Sequence, residues 1–121
     1  MNKLLSAAIG TALLLSSVGG ASAQGMSHDG RVRTVTVHNL SGYTIEYVYA
    51  VPTSWYIADY DIVSGDFIPG RLIDPNQTAV VDFDRGDGSC VLDIKFLDTR
   101  RGDWIFRNYD VCRGGTLTLR N

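Results

Sequence analysis

Apolar and polar residues alternate with a period of two along most of this chain. Residues 31–38 set Val35 and Val37 on one face and Thr34, Thr36 and His38 on the other, which predicts a half-buried β-strand. Asn39, Leu40, Ser41 and Gly42 read as a turn. Residues 43–51 resume as a strand with Ile45, Tyr47, Tyr49 and Val51 on one side, so the two segments are expected to form a hairpin. The signature returns over 78–84, 90–98, 104–112 and 116–120, separated by Gly, Asp and Asn. No window carries an amphipathic helix of useful length. Short strands at this spacing predict an all-β fold, a small antiparallel β-sandwich of immunoglobulin-like or C2-like size.

The two cysteines, Cys90 and Cys112, allow a single pairing and are expected to form a disulfide. A hairpin centred on Arg101 sets them directly opposite, together with Phe96 against Phe106 and Asp98 against Trp104. Opposed Cα atoms lie about 4.5–5.5 Å apart, close enough for a bridge. That register collects Cys90, Leu92, Ile94, Phe96, Trp104, Phe106 and Cys112 on a core face, and leaves Asp93, Lys95, Arg107 and Tyr109 on a solvated one. Lys95 then opposes Arg107, which a bulge or a diagonal Asp93 would relieve. Closing a loop of this size contributes roughly 3 kcal/mol.

The amino terminus changes the picture from fold to address. Lys3, the apolar run 4–18 and the small residues Ala21, Ser22 and Ala23 form a secretory signal expected to be cleaved after Ala23. The run is shorter than the roughly 18–20 apolar residues of a membrane span and is broken by Ser6, Gly10 and Thr11, so the mature form is expected to have none. The division is therefore 1–23 signal peptide, 24–30 flexible leader and 31–121 a single domain, in a periplasmic or secreted protein. The chain carries 11 basic and 13 acidic side chains, and removing Lys3 takes its net charge from −2 to −3. With the basic residues scattered, nucleic acid is not an expected partner. All the acid but Glu46 is Asp, a residue of turns.

Residues 52–77 form a connection longer than usual, and long connections in small domains often bind ligands. Trp55, Tyr56, Tyr60 and Phe67 stand there beside Asp59, Asp61 and Asp66. Rings interleaved with carboxylates suit a sugar, a peptide or a cation, and Trp55, Tyr56, Asp59, Tyr60, Asp61 and Phe67 are the candidate ligand residues. The competing expectation is that Trp55 and Ile57 tuck into the sandwich while 60–62 and 66–68 form edge strands.

A second candidate is Asp82, Asp84 and Asp87, whose spacing with Gly86 and Gly88 suggests a calcium loop, although no Glu stands at the distal ligand position. A hairpin turn joining 80–84 to 90–97 accounts for the same residues without metal. Arg-Gly-Asp occurs at 85–87 and 101–103, both at expected hairpin tips, and resembles the integrin-binding motif of animal adhesion proteins. For a hydrolase, Ser41 or Ser89 would have to meet His38, and His28 lies in the leader; no nucleophile elbow or metal-binding helix motif accompanies them.

The runs 37–45 (VHNLSGYTI), 75–84 (PNQTAVVDFD), 88–95 (GSCVLDIK), 109–112 (YDVC) and 117–119 (LTL) carry a family likeness. They resemble a group of small secreted proteobacterial proteins sharing an N-x-[ST]-G-Y-x-I turn, a C-x-x-D-[IL] strand and a terminal V-x-[LV]-C. The resemblance implies an envelope β-sandwich and no defined activity; residues 59–71 depart from it. The first functional expectation is thus a non-catalytic binding or envelope-associated module recognising a protein or glycan of the cell envelope. The alternative is a calcium-stabilised envelope protein, followed by a hydrolytic enzyme or an Arg-Gly-Asp host adhesion factor. Expressed in a Gram-negative host, the protein is expected in the periplasmic fraction with Gln24 as its first residue by N-terminal sequencing. A full-length chain in the cytoplasm would overturn the signal-peptide assignment.

Overall fold

β-branched residues open the domain, and in the computed structural model, which describes residues 27–56 and 64–121, they form β1 (Thr34–Leu40) with Val35 and Val37 inward. The strands β2 (Ile45–Pro52), β3 (Thr78–Asp82), β4 (Val91–Asp98), β5 (Asp103–Asp110) and β6 (Thr116–Arg120) follow. They make two three-stranded sheets, β3-β1-β6 and β2-β4-β5, in which only β1 and β6 run parallel. The sheets pack as a small sandwich around Val35, Val37, Val48, Phe83, Leu92, Ile94, Phe96 and Leu119. The expected all-β sandwich with a Cys90–Cys112 disulfide is what the chain forms, with a Cα–Cα separation of 5.2 Å. Residues 1–26, which include the expected signal peptide, lie outside the described residues.

The first expected hairpin does not form, because β1 and β2 belong to different sheets. Asn39 turns the corner between them. Its buried amide donates to the carbonyls of Tyr43 at 2.7 Å and Ile73 at 2.9 Å, while its Oδ1 accepts the Ser41 N–H at 3.0 Å and the Ser41 hydroxyl at 2.6 Å. One side chain thereby satisfies groups that a hairpin would pair strand to strand, and β2 is free to diverge. Ser41, considered above as a nucleophile, has its hydroxyl committed within this corner. The expected 80–84 to 90–97 hairpin is absent for the same reason: β3 and β4 lie in opposite sheets, and the chain crosses between them.

The inward face of β2 also differs from the simple alternation. A bulge between Ile45 and Tyr47 flips the phase, so Ile45, Val48 and Ala50 enter the core. Tyr47 and Tyr49 instead stand on the outer face, their rings parallel at 5.8 Å between centroids. An extra residue in one strand reverses every side chain beyond it.

In the β4–β5 hairpin the register is two residues from that expected: Phe96 opposes Trp104, Ile94 opposes Phe106 and Lys95 opposes Ile105. A shift of two preserves the faces, so Phe96 and Phe106 still meet, edge to face at 5.7 Å. The turn is tightened by Asp98, whose Oδ1 accepts the N–H groups of Arg100 and Gly102 and whose Oδ2 takes the Arg100 guanidinium at 2.8 Å. Further along, Arg107 and Asn108 together oppose Asp93, a bulge in which Asn108 takes φ 57°. The expected clash of Lys95 with Arg107 is gone. Asp93 is not solvated as expected but buried: it accepts the Thr53 hydroxyl and the Asn108 N–H on Oδ1 and Arg107 on Oδ2. Beyond the bulge, Tyr109 packs against the core.

Replacing Asn39 with alanine removes four hydrogen bonds at the corner and leaves the buried Ser41 N–H without its acceptor, and is expected to cost about 3 kcal/mol in urea unfolding. Asn39→Asp, which keeps the acceptor but loses both donors, is expected to fall between; equal stability of all three proteins would refute the corner's role.

Candidate functional site

Pro52 ends β2 by leading into a single 3-10 turn, Thr53–Trp55, closed by a bond from the Tyr56 N–H to the Thr53 carbonyl. Tyr56 takes the left-handed conformation, φ 54°, and its ring is 90% exposed. Trp55 is 47% exposed and carries the Arg85 guanidinium on its face at 4.7 Å from the ring centroid. Both rings therefore face solvent, against the expectation that Trp55 is buried in the sandwich. Asp59, Tyr60 and Asp61, together with Ile57 and the expected edge strand 60–62, lie outside the described residues.

The chain re-enters at Ser64 alongside the free edge of β2, without forming the edge strand expected over 66–68. Side chains do the pairing instead: the Ser64 hydroxyl accepts the Ala50 N–H at 3.0 Å, and Asp66 Oδ1 accepts those of Val48 and Ile68 at 3.1 and 3.0 Å. Arg85 donates to the Ala50 carbonyl at 2.8 Å, and the Phe67 N–H to that of Val48 at 2.9 Å. The edge is thereby closed to strand addition. Phe67 is half core, its ring tilted on Phe83 at 5.4 Å.

The other half of Phe67 faces a cavity of about 220 Å³ walled by Gly65, Asp66, Phe67, Asp84 and Arg85. The fold thus brings one candidate ligand residue, Phe67, beside one candidate metal ligand, Asp84. Asp84 is 4% exposed. Its Oδ1 accepts the Gly86 N–H at 2.9 Å and the hydroxyl of Ser27, which with Asp29 ties the leader to the domain. Its Oδ2, equally buried, has no hydrogen-bond partner among the described residues. Beneath it the guanidinium of Arg33, fully buried, donates to the carbonyls of Ser89 and Gly88 and pairs with Asp29 at 2.6 Å. This bond to Asp29 holds the Asp29 carboxyl well below the usual carboxylate range.

The calcium trio is not assembled. Asp82, Asp84 and Asp87 each point an oxygen at the N–H two residues on, in successive turns of the β3–β4 crossing. Among the described residues, the three groups whose ligand atoms lie within 4.8 Å of one another are Cys90, Asp110 and Cys112, and the two sulfurs there are bonded to each other. The first Arg-Gly-Asp is folded on itself, Arg85 pairing with Asp87 at 3.1 Å, and in the second Asp103 opens β5. His38 stands on the outer face of its sheet between Thr78 and Thr118.

Asp66 and Arg85 complete the cavity, and neither was among the candidate ligand residues. Asp66 stood in the loop as one acid among several, and Arg85 was masked by its tripeptide; neither spacing nor period marks a residue that faces a cavity. Compared with protein families, curated proteins and solved structures, the chain matches none.

Burial pushes the Asp82 carboxyl above its ordinary value, against the bond from the Asp84 N–H, and the Asp84 charge adds to the rise. Its ionised form is therefore less favourable in the fold than in the unfolded chain. That penalty is complete above the folded value and absent below the unfolded one. Asp82→Asn keeps the turn bond without the charge, so it is expected to melt higher than wild type at pH 7, with the difference gone below about pH 3. Equal melting temperatures across that range would contradict the assignment.

Proposed function

We propose that this is a non-catalytic, exported binding module of the cell envelope, recognising a glycan or protein segment at the end of the sandwich bounded by Trp55, Tyr56 and the Asp84 cavity. The observation that carries the reading is Asp84, which lines a cavity and whose buried Oδ2 lacks a donor among the described residues. A buried carboxylate oxygen left without a partner costs about 1–3 kcal/mol or more. A fold retains such a group where something else supplies the donor. The exposed Trp55 ring, which carries the cavity's Arg85 on its face, and the exposed Tyr56 next to it in the chain supply contact area, as ligand sites commonly do.

The conformation of Tyr56 fits the same role. Holding a non-glycine residue at positive φ costs about 1 kcal/mol or more, and a ring that is 90% exposed recovers little of that through packing. A cell-envelope location agrees with the signal sequence and the disulfide, and the family resemblance stated for residues 37–119 supports the same address.

The test is a screen of the fluorescently labelled mature protein on arrays of envelope saccharides and peptides. Wild type is expected to retain at least one ligand, and the double variant Trp55→Ala with Tyr56→Ala to lose binding at least tenfold at unchanged melting temperature. Blank arrays, or retention indifferent to both substitutions, would overturn the reading.

A further inference from the structure

Among the described residues three aspartates lie buried, and two of them show what the third lacks. Asp93 and Asp98 are 5% and 0% exposed, and each receives two donors on Oδ1, the Asn108 N–H and Thr53 hydroxyl for Asp93 and the Arg100 and Gly102 N–H groups for Asp98, and an arginine on Oδ2: Arg107 at 3.3 Å for Asp93 and Arg100 at 2.8 Å for Asp98. Asp84 repeats the first half of the pattern, with Gly86 N–H and the Ser27 hydroxyl on Oδ1. It has no counterpart of the second half. Arg85, adjacent in the chain, is committed to Asp87, the Ala50 carbonyl and the Trp55 ring. Arg33 is committed to Asp29 and to the carbonyls of Gly88, Ser89 and Arg31.

The charge around the cavity has the matching sign. Asp66, Asp84 and Arg85 line it and Asp82 lies one turn away; the Arg85 charge is paired with Asp87, and that of the buried Arg33, which also acts on Asp84, is paired with Asp29. A neutral hydroxyl would give Asp84 Oδ2 a donor but leave this excess of negative charge. A cation supplies both, and a charge-assisted bond in a partly desolvated site is roughly twice as strong as a neutral one. The Phe67 ring offers the cavity an apolar wall for the carbon that bears the charge.

We propose that the Asp84 cavity binds a primary ammonium group carried on a short alkyl or sugar carbon, the ligand completing on Asp84 the ion pair that Arg100 and Arg107 complete on Asp98 and Asp93. This rests on reading the cavity as the ligand site. An ammonium is favoured over a guanidinium because it is compact and presents three donors from one atom. Its sources are an amino sugar and a lysine side chain, which share this chemistry.

The experiment titrates the mature, disulfide-bonded protein with matched pairs: glucosamine against glucose, and Nα-acetyl-lysine amide against its Nε-acetylated form, followed by calorimetry and by amide chemical shifts. At least one amine is expected to bind tenfold or more tightly than its neutral partner, to shift the Gly65–Phe67 and Asp84–Gly86 amides, and to weaken severalfold on raising salt from about 50 to 500 mM. Asp84→Asn is expected to abolish that preference while melting at or above the wild-type temperature, since it removes a buried charge. Binding of glucosamine alone assigns the source to glycan, and of the lysine amide alone to peptide; either outcome supports the proposal. Equal binding of glucose and glucosamine at this cavity would overturn the ammonium assignment and leave the binding site standing. Amine binding unchanged by Asp84→Asn, or an Asp84-dependent rise in melting temperature with calcium chloride but none with any amine, would also overturn it. Failure of every probe together with blank arrays would remove the site as well.

Discussion

Wherever the chain reverses or crosses between sheets, an amide N–H leaves the ladder and must find an acceptor, and this protein meets that need with aspartate or asparagine. Asp29, Asn39, Asp66, Asp82, Asp84, Asp87, Asp98 and Asp110 each accept the N–H two residues on. A side chain of this length reaches the N–H two residues on with little strain, a serine hydroxyl does so at Ser41, and glutamate, one methylene longer, suits the same ring less well. The near absence of Glu from the composition follows from the architecture. Among the described strands β4 to β5 is the one hairpin within a sheet, the other connections cross the sandwich, and each crossing needs such a corner.

The corners explain what could be read in the sequence and what could not. Alternation located β1, β4, β5 and β6 closely, since a strand half buried on one face writes its own pattern. It failed at residue 46 and again at 107–108, where a bulge inserts a residue and inverts the phase without leaving a mark in residue type. Pairing failed at 39–44 for a different reason. A turn followed by a strand looks the same in sequence whether the second strand folds back in the same sheet or leaves for the other; what decides is whether Asn39 finds the Ile73 carbonyl, 34 residues away. The disulfide was legible because two cysteines admit one pairing, even with the register of their hairpin displaced by two near the turn and by one beyond the bulge.

The candidate site was legible only in halves. Aromatic residues in a long connection pointed to Trp55, Tyr56 and Phe67, and clustered aspartates pointed to Asp84, but as two separate sites with different ligands. Their meeting depends on the β3–β4 crossing, which carries Asp84 and Arg85 to the free edge of β2, where Asp66 and Phe67 arrive from the other direction. That is a property of topology. The burial of Asp84, which turns an ordinary turn acid into a chemically distinctive one, is likewise invisible in its neighbours: Asp87, three residues on in the same crossing, is exposed and pairs with Arg85.

Asp84 also connects the cavity to the opposite side of the crossing. One oxygen is held by the Gly86 N–H and the Ser27 hydroxyl, which fixes the carboxylate in the wall of the cavity with its other oxygen buried. Ser27 is held in turn because Asp29, two residues on, is clamped by the buried guanidinium of Arg33, and Arg33 is seated on the carbonyls of Gly88 and Ser89 beside Cys90. The segment just ahead of the first strand, the β3–β4 crossing and the disulfide thus form one rigid support behind a single carboxylate. An arginine sequestered so completely lends its charge to Asp84 and Asp87 across the crossing but donates no hydrogen bond to Asp84 Oδ2. The arrangement holds that oxygen oriented, buried and unpaired before any ligand arrives, which spares the ligand the cost of ordering its own binding group.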